Sequence, residues 1–497
     1  MKKFKVVFIQ GLSGERIDTP PTGLAYMAAM LEKKGCLVEA IVPNAPYFPK
    51  DYFKEVLKRV QSSSPDLIGV SMYTTNILET YKLISLLKPL GIPIIAGGPH
   101  PSLLPEEVLS HGVDMVVVGE GEETIVDVVD YYQGKLGAQD ILGICYKDKK
   151  GKVQTTPPRP RIKDLDKLPF PAKHIYNNSD FIKNSTDDYR FGFILGTRGC
   201  PAKCTYCFKG SFDTFTFRSP LNVIEEIKFV KQKYNVTHFN FIDDAFSSYR
   251  RNITVFCDLV EEHNLNITWN CITRLSSVTE ELLFRMKRAG CQNINYGIES
   301  VNEQTLKRVR KGCNMDKIKQ ALQWTTDAGL KIDVNFIWGF PWEDTNDIRN
   351  NLNFIKQWGS SFNNIMQSGI LIPFPGTQIY DEFKDEYNFE NWWLNEKVNY
   401  DYNPHLHQHI AFRDSLIENS FFNYSSSIKR ELRKVARFIG RHNNDGRNWL
   451  KRILWAVVIW FSILLSRIAP TIEIKVFQGL FYKMKYFFGR ITQLEFI

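Results

Sequence analysis

The sequence predicts an α/β protein in three successive parts: a Rossmann-like doubly wound parallel sheet, a partial (β/α)6 barrel, and a mainly helical C-terminal extension. Three observations lead there. Short apolar runs alternate with amphipathic stretches from Lys5 to Tyr132, and again from Phe193 to Ile372, the pattern of parallel strands joined by crossover helices. Prolines at 157, 158, 160, 169 and 171 interrupt the two series. Towards the C-terminus the alternation stops and the chain turns aromatic and basic. A length of 497 residues asks for more than one core, and 43% hydrophobic with 24% charged residues is a folded composition.

In the first series, strands are expected at Lys5–Gln10, Leu37–Val42, Leu67–Met72, Pro93–Ala96 and Met115–Val118. The helices between and after them are expected at Pro21–Lys33, Tyr52–Gln61, Leu78–Leu90, Pro105–Ser110 and Glu122–Tyr132. In Pro21–Lys33, for example, Leu24, Met27, Ala28 and Leu31 share one helical face. The second series has strands at Phe193–Gly196, His238–Ile242, Thr268–Ile272, Asn293–Gly297, Asp333–Ile337 and Met366–Ile372, with helices such as Pro220–Lys233 and Glu280–Ala289 between them. Domain boundaries are therefore expected at 1–145, 146–189 (linker), 190–385 and 386–497.

The net charge of +9 is uneven. From Ile428 onward there are 14 Lys or Arg against 4 Asp or Glu, while the rest of the chain is close to neutral. No nucleic-acid partner is implied for the whole protein. The opening Met-Lys-Lys runs straight into a strand, so a secretory leader is not expected. Nine cysteines, three of them within eight residues, do not make a disulfide framework; they suit a reducing cytoplasm and a metal site.

The cluster reads Thr197-Arg198-Gly199-Cys200-Pro201-Ala202-Lys203-Cys204-Thr205-Tyr206-Cys207-Phe208 and follows a strand. Three thiolates on one loop leave one iron of a cubane cluster open to a small chelating molecule. Zinc, or three incidental thiols, are the competing readings; zinc ordinarily takes four protein ligands. With its three-then-two spacing and trailing aromatic, the segment resembles the signature of the radical S-adenosylmethionine superfamily, and the resemblance runs over about Phe191–Tyr380. Phe241-Ile242-Asp243-Asp244-Ala245-Phe246 is similar to the segment contacting the methionine amino group. Tyr296-Gly297-Ile298-Glu299-Ser300 is similar to the segment whose Glu approaches the ligand. Asn335 to Glu343 resembles the adenine motif G-x-I-x-G-x-x-x-E with Asn335 in place of its first Gly, and Pro373-Phe374-Pro375-Gly376-Thr377 matches a turn ending the sixth strand. Read without the resemblance, Asp243 and Asp244 could cap a helix and Gly297 could serve backbone packing alone.

The resemblance implies a [4Fe–4S] cluster on Cys200, Cys204 and Cys207. It implies S-adenosyl-L-methionine beside Phe208, Asp243, Asp244, Gly297, Glu299, Ile337 and Gly339. The implied chemistry is reductive cleavage of that molecule to a 5′-deoxyadenosyl radical, with an electron donor such as flavodoxin or ferredoxin.

In the first series the strand-end loops Ser71–Asn76, Ala96–Pro101 and Gly119–Glu123 are glycine-rich, and open parallel sheets bind ligands at such ends. No G-x-G-x-x-G follows the first strand, which argues against a dinucleotide; a domain without a ligand is the other alternative. Pro20 to Tyr26, Gly97-Gly98-Pro99-His100 and Gly119-Glu120-Gly121-Glu122 resemble a cobalamin-binding domain that precedes the radical domain in one large subfamily. The resemblance implies cobalamin against Ser71, Thr74, Gly97, Gly98, Pro99, Gly119, Glu120 and Gly121. D-x-H-x-x-G is absent, so Ser71–Asn76 is expected beneath the corrin with no histidine ligand. The implied activity is methylation of an unactivated carbon in a small-molecule or lipid-like substrate; a non-methylating cyclase or rearrangement enzyme, or an inactive cofactor-binding homologue, are the alternatives.

Three features stand outside this reading. His405, His407 and His409 alternate and could share one strand face as a metal site or, in the plainer reading, lie on a loop. Cys36, Cys145, Cys257, Cys271, Cys291 and Cys313 read as small buried apolar residues. Ile453–Leu465 is almost continuously apolar, flanked by Lys451, Arg452 and Arg467, and is shorter than a membrane span. With the basic residues before it, the expectation is a cytoplasmic enzyme resting on an anionic membrane surface at the inner face, and a buried helix is the alternative.

Overall fold

A computed structural model describes residues 2–11, 20–42, 52–177, 190–208, 215–365, 369–395 and 421–444. The first sheet contains β1 (Lys5–Gln10), β2 (Leu37–Ile41), β3 (Leu67–Ser71), β4 (Ile94–Gly97), β5 (Met115–Val117), β6 (Ile144–Lys147) and β7 (Val153–Thr155), in the order β2-β1-β3-β4-β5-β6-β7. Its first five strands are parallel. Val6, Val7 and Ile9 are fully buried, and the even and odd positions of β1 feed separate apolar clusters. A strand buried on both faces needs this unbroken apolar run.

Part of the expected linker proves to be sheet. β6 pairs antiparallel with β5, and β7 with β6, around a turn at Asp148–Gly151 closed by the Asp148 carboxylate. Strands of three and four residues beside a proline cluster leave little periodicity to read. The crossing stretch begins after them and is tied down by ions. Lys173, fully buried, donates to the Phe191 carbonyl at 2.9 Å and pairs with buried Glu226 at 3.0 Å. Arg218 closes on the same carboxylate. An unpaired charge here would cost several kcal/mol, so the three must stay together.

The second sheet contains β8 (Phe193–Ile194), β11 (His238–Phe241), β12 (Thr268–Thr273), β13 (Cys291–Glu299), β14 (Lys331–Trp338), β15 (Phe362–Ile365) and β16 (Gly369–Ile370). All its pairings are parallel, in the order β15-β14-β13-β12-β11-β8. The sixth position expected at Met366–Ile372 is shared: β15 pairs with the first half of β14 and β16 with the second. Residues 366–368 lie outside the described residues. Between β8 and β11, β9 (Thr197–Arg198) and β10 (Thr216–Phe217) form a short antiparallel ribbon flanking the cysteine loop.

Beyond the second sheet, Trp392, Trp393, Phe421, Phe422 and Tyr424 are buried in an aromatic cluster with Phe383 and Phe389. The helix Ser426–Asn444 packs along Thr345–Trp358, burying Leu432, Val435 and Ile439, with Glu431 paired to Arg349 at 3.0 Å. No helix among the described residues is long and apolar enough to cross a membrane. His405, His407, His409 and Ile453–Leu465 lie outside the described residues.

Candidate functional site

The cysteine loop leaves β9 through Gly199, whose φ of +78° is the left-handed turn that glycine adopts without penalty. Just before β9, Asp243 accepts from the Gly196 N–H at 3.0 Å. Burial lifts its carboxyl to about 6. Asp243 therefore braces the backbone leading into the loop, whereas Asp244 opens towards the cavity described below.

Cys204 is buried, Cys200 half-buried and Cys207 exposed, and none is in a disulfide. Arg274, at the end of β12, donates to Cys204 Sγ at 3.6 Å and to the Lys311 carbonyl. Among the described residues no three His, Cys, Asp or Glu side chains converge on a single-ion site. A cubane, with iron at separate corners, takes more widely spaced thiolates, and three thiols beside a guanidinium fit that donor set.

On the opposite wall, Glu299 ends β13 at a register shift and holds φ at +68°. Such a conformation in a non-glycine residue is kept only where neighbours enforce it. The enforcing neighbour is Lys311, whose Nζ donates to Glu299 Oε1 at 2.8 Å and to the Tyr206 hydroxyl at 3.3 Å. Gly297 makes the space: a Cβ there would lie 2.4 Å from Glu299 Oε1 and 2.9 Å from Lys311 Nζ. On β14, Ile337 faces the same side as Gly297, and Gly339 follows with φ +74°. Glu343 accepts from the Gly339 and Phe340 N–H groups at 3.1 and 3.2 Å, and burial raises its carboxyl to about 8. The Tyr424 hydroxyl donates to the Gly339 carbonyl, so the C-terminal extension braces this loop.

A cavity of about 350 Å³ lies between the two sheets. Ser71, Gly97, Gly98, Pro99, Gly119, Glu120 and Gly121 line it from one side, and Arg198, Gly199, Phe208, Ile242 and Asp244 from the other. Such a backbone-rich wall leaves room for a broad, flat ligand to approach closely. Thr74 does not reach the cavity: its hydroxyl is 3.1 Å from His100 Nδ1, and His100 Nε2 is 3.1 Å from Glu107. Both ring nitrogens of His100 are thus occupied, and this histidine offers no ligand to the cavity.

The walls are locked by charge. Arg198, two residues before Cys200, donates to Glu120 at 3.0 Å and to Glu122, and stands over the Tyr26 ring at 5.2 Å. Glu120 also accepts from the Ile162 N–H at 2.7 Å. Its carboxylate thus joins three segments rather than pointing freely at a ligand.

Two family models match the chain: a B12 binding domain over residues 16–129 and the radical SAM superfamily over 194–355. The chain belongs to the cobalamin-binding radical S-adenosylmethionine enzymes. The enzyme is 28% identical over 370 residues to an uncharacterized methyltransferase of Pyrococcus horikoshii, covering 73% of this chain and 78% of that one. It is 26% identical over 416 residues to the anaerobic magnesium-protoporphyrin IX monomethyl ester cyclase of Rubrivivax gelatinosus, covering 82% and 73%. Its fold matches the radical S-adenosylmethionine methyltransferase TsrM from Kitasatospora setae, solved with cobalamin and a [4Fe–4S] cluster, with a TM-score of 0.63 at 17% identity over 78% of this chain and 75% of that one. The cobalamin-dependent enzyme OxsB matches with a TM-score of 0.67 at 16% identity, covering 93% and 76%.

Sequence reasoning missed Arg198, Arg274, Lys311 and Tyr424. The Arg198 partners lie more than 70 residues away, so no local pattern announces them. Lys311 had a faint signal: a Gly two residues before a Glu at a strand end leaves room for a partner.

Proposed function

We propose that the enzyme methylates an unactivated carbon by cobalamin-dependent radical chemistry. The observation that carries this is the single cavity whose walls are the glycine loops of the first sheet and the cysteine-loop side of the second. When bound, the cluster with S-adenosylmethionine supplies a hydrogen-abstracting 5′-deoxyadenosyl radical, and cobalamin supplies the methyl group. Cys200, Cys204 and Cys207 hold the cluster, with Arg274 countering thiolate charge at Cys204. Glu299, fixed by Lys311, and the Gly339–Glu343 loop orient S-adenosylmethionine; Asp244 and Phe208 face the shared cavity. Gly97, Gly98, Gly119 and Gly121 admit the corrin, and Arg198 keeps the two sites in register. Residues 1–155, 190–385 and 386–497 then serve as corrin domain, radical domain and brace, joined through 156–189, with flavodoxin or ferredoxin as electron donor.

The test is anaerobic reconstitution of the full chain. About four irons per chain, base-off cobalamin absorption and 5′-deoxyadenosine on reduction are expected. Label from methyl-labelled S-adenosylmethionine should enter an accepting small molecule. 5′-Deoxyadenosine with no label transferred would point to a cyclase or rearrangement enzyme instead, and a fully loaded protein that makes none would be an inactive homologue.

A second reading concerns location. The helix Ser426–Asn444 turns Arg430, Lys434 and Arg437 outward, opposite Leu432, Val435 and Ile439. We propose that this face meets an anionic membrane surface, each basic residue contributing about 1 kcal/mol. Co-sedimentation with phosphatidylserine vesicles at low but not high salt is expected; protein left in the supernatant at low salt would rule it out.

A further inference from the structure

Where this chain needs a left-handed backbone outside glycine, it mostly uses asparagine. Among the described residues, nine non-glycine residues hold a positive φ, and six of them are Asn. Of the other three, Ser64 closes the helix Tyr52–Ser63, while Glu299 and Arg310 both adjoin the cysteine loop. Arg310, at φ +55°, closes the helix Glu303–Arg308. Its N–H donates to the Lys307 carbonyl at 3.1 Å, and the Lys311 N–H donates to the Leu306 carbonyl at 3.0 Å. This is the position at which a helix ordinarily ends on glycine. A side chain there costs about 1–2 kcal/mol, and such a cost points to a use for the side chain that is kept.

The turn is one residue thick. On its inner side, the Arg310 carbonyl oxygen lies 3.8 Å from Cys204 Sγ, and the Val309 carbonyl accepts from the Thr205 N–H at 3.2 Å. On its outer side, Lys307 and Arg310 are exposed, as is Lys203 within the loop itself. None of these three side chains has an ion-pair or hydrogen-bond partner among the described residues. Arg308 is spent locally: it stands over the Trp342 ring at 4.0 Å and pairs with Glu382 at 2.8 Å. Glu303 accepts from the Met315 N–H at 2.8 Å. The helix Gln378–Phe383 seats against the loop through the Ile379 N–H and the Thr205 carbonyl, 3.1 Å apart. With Glu382 taken, that helix sets Asp381 against three free cations.

We propose that Lys203, Lys307 and Arg310 form the docking surface for an acidic one-electron carrier protein, which reduces the cluster across the Arg310–Cys204 contact. The inference rests on the radical-enzyme reading and names where its electron enters. The carrier loses one electron and the cluster gains one; no bond is made or broken. Unpaired surface cations speed the encounter with a partner of opposite charge, and salt weakens their pull. Electron-transfer encounters are small and short-lived, so a patch of three cations is of a suitable scale. An anionic membrane would use the same charge, but it would make no use of the contact with the cluster ligand.

The test uses the full-length enzyme loaded anaerobically with iron, sulfide, cobalamin and S-adenosylmethionine, with flavodoxin and ferredoxin as probes. Calorimetry measures carrier binding at low and high salt. Formation of 5′-deoxyadenosine is followed with reduced carrier and, separately, with dithionite, which is too small to need a docking surface. At least one carrier should bind at low salt and weaken at high salt. Lys307→Gln combined with Arg310→Asn, which keeps a residue suited to positive φ, should weaken binding about five-fold, as for two exposed charge pairs. Carrier-driven 5′-deoxyadenosine should fall while the dithionite-driven reaction holds, and Arg310→Lys should keep binding. Unchanged binding in the double variant, binding indifferent to salt, or equal loss with both reductants overturns the proposal. Should the double variant lose iron, Lys307→Glu takes its place, with the same fall expected and unchanged binding counting against the surface. Phosphatidylserine vesicles held by these cations, with neither carrier bound, would also overturn it. Wild-type enzyme that cleaves S-adenosylmethionine with dithionite yet ignores both carriers sinks this inference alone; loaded enzyme that forms no 5′-deoxyadenosine with any reductant sinks the function itself.

Discussion

The two sheets solve the same problem, holding a ligand at the carboxyl ends of parallel strands, by different means. The first shapes its loops with bare backbone: Gly97, Gly98, Gly119 and Gly121 line the cavity, and no charged side chain on that wall is left unpaired. The second shapes its loops with buried charge: Arg274 at Cys204, Lys311 at Glu299, Asp243 at Gly196. A flat, wide ligand needs room, whereas a small one with an amino acid head needs directed polar partners. The first site should therefore respond to lost room alone, and the second to anything that disturbs its ion pairs.

The largest effect belongs to the second site. Replacing Cys200, Cys204 and Cys207 together with Ala should abolish iron binding and 5′-deoxyadenosine formation while base-off cobalamin absorption persists; loss of both cofactors would mean that the sites are not separable. Glycine substitutions then probe the contrast directly. Gly297→Ala drives a Cβ into the Glu299–Lys311 pair. We expect a drop of about 100-fold in S-adenosylmethionine cleavage, on the order of 3 kcal/mol, with iron content unchanged. Gly98→Ala, at φ +108° and 2.9 Å from the Met72 carbonyl, should strain the first site by about 1–3 kcal/mol, lowering cobalamin occupancy and leaving iron untouched.

Arg198→Met tests the junction. It leaves Glu120 and Glu122 buried beside an apolar side chain, a loss of about 3–5 kcal/mol, visible as a lower urea midpoint. A change smaller than about 1 kcal/mol would place the pair among weak surface bridges.

Glu343 supplies a pH signature. Its folded carboxyl, raised by burial to about 8 from an ordinary 4.5, binds a proton that the unfolded chain releases. Its contribution is full below pH 4.5 and is lost as pH rises through 8. Stability should fall across that window with a slope of at most about 1.4 kcal/mol per pH unit from this group, and Glu343→Gln should remove that slope. The smallest effect is expected for Tyr424→Phe, which removes one bond to Gly339 and about 1 kcal/mol of thermal stability.

Much of this architecture was legible because parallel strands buried on both faces must be apolar throughout; Val6 to Ile9 and Leu67 to Val70 announce themselves. The cysteine loop was legible because its ligands are local. β15 was not: Phe362-Asn363-Asn364-Ile365 carries two amides where a strand pattern expects β-branched residues, and those amides serve Asp333 on the neighbouring strand. Thr74 was expected in the corrin wall because it sits in the correct loop; its hydroxyl is drawn instead to His100, 26 residues on. Local spacing identifies which loops matter, while long-range polar partners decide where each side chain points.

One further consequence concerns synthesis. Trp393 Nε1 donates to Glu107 at 3.0 Å, behind the corrin wall, and Tyr424 holds the Gly339 turn. Both braces come from the end of the described chain, after every strand of both sheets. While the polypeptide is still leaving the ribosome, each pocket has its loops but lacks its last prop. The Trp393 prop follows once residue 393 has emerged and the Tyr424 prop once residue 424 has, so each pocket is built first and braced last.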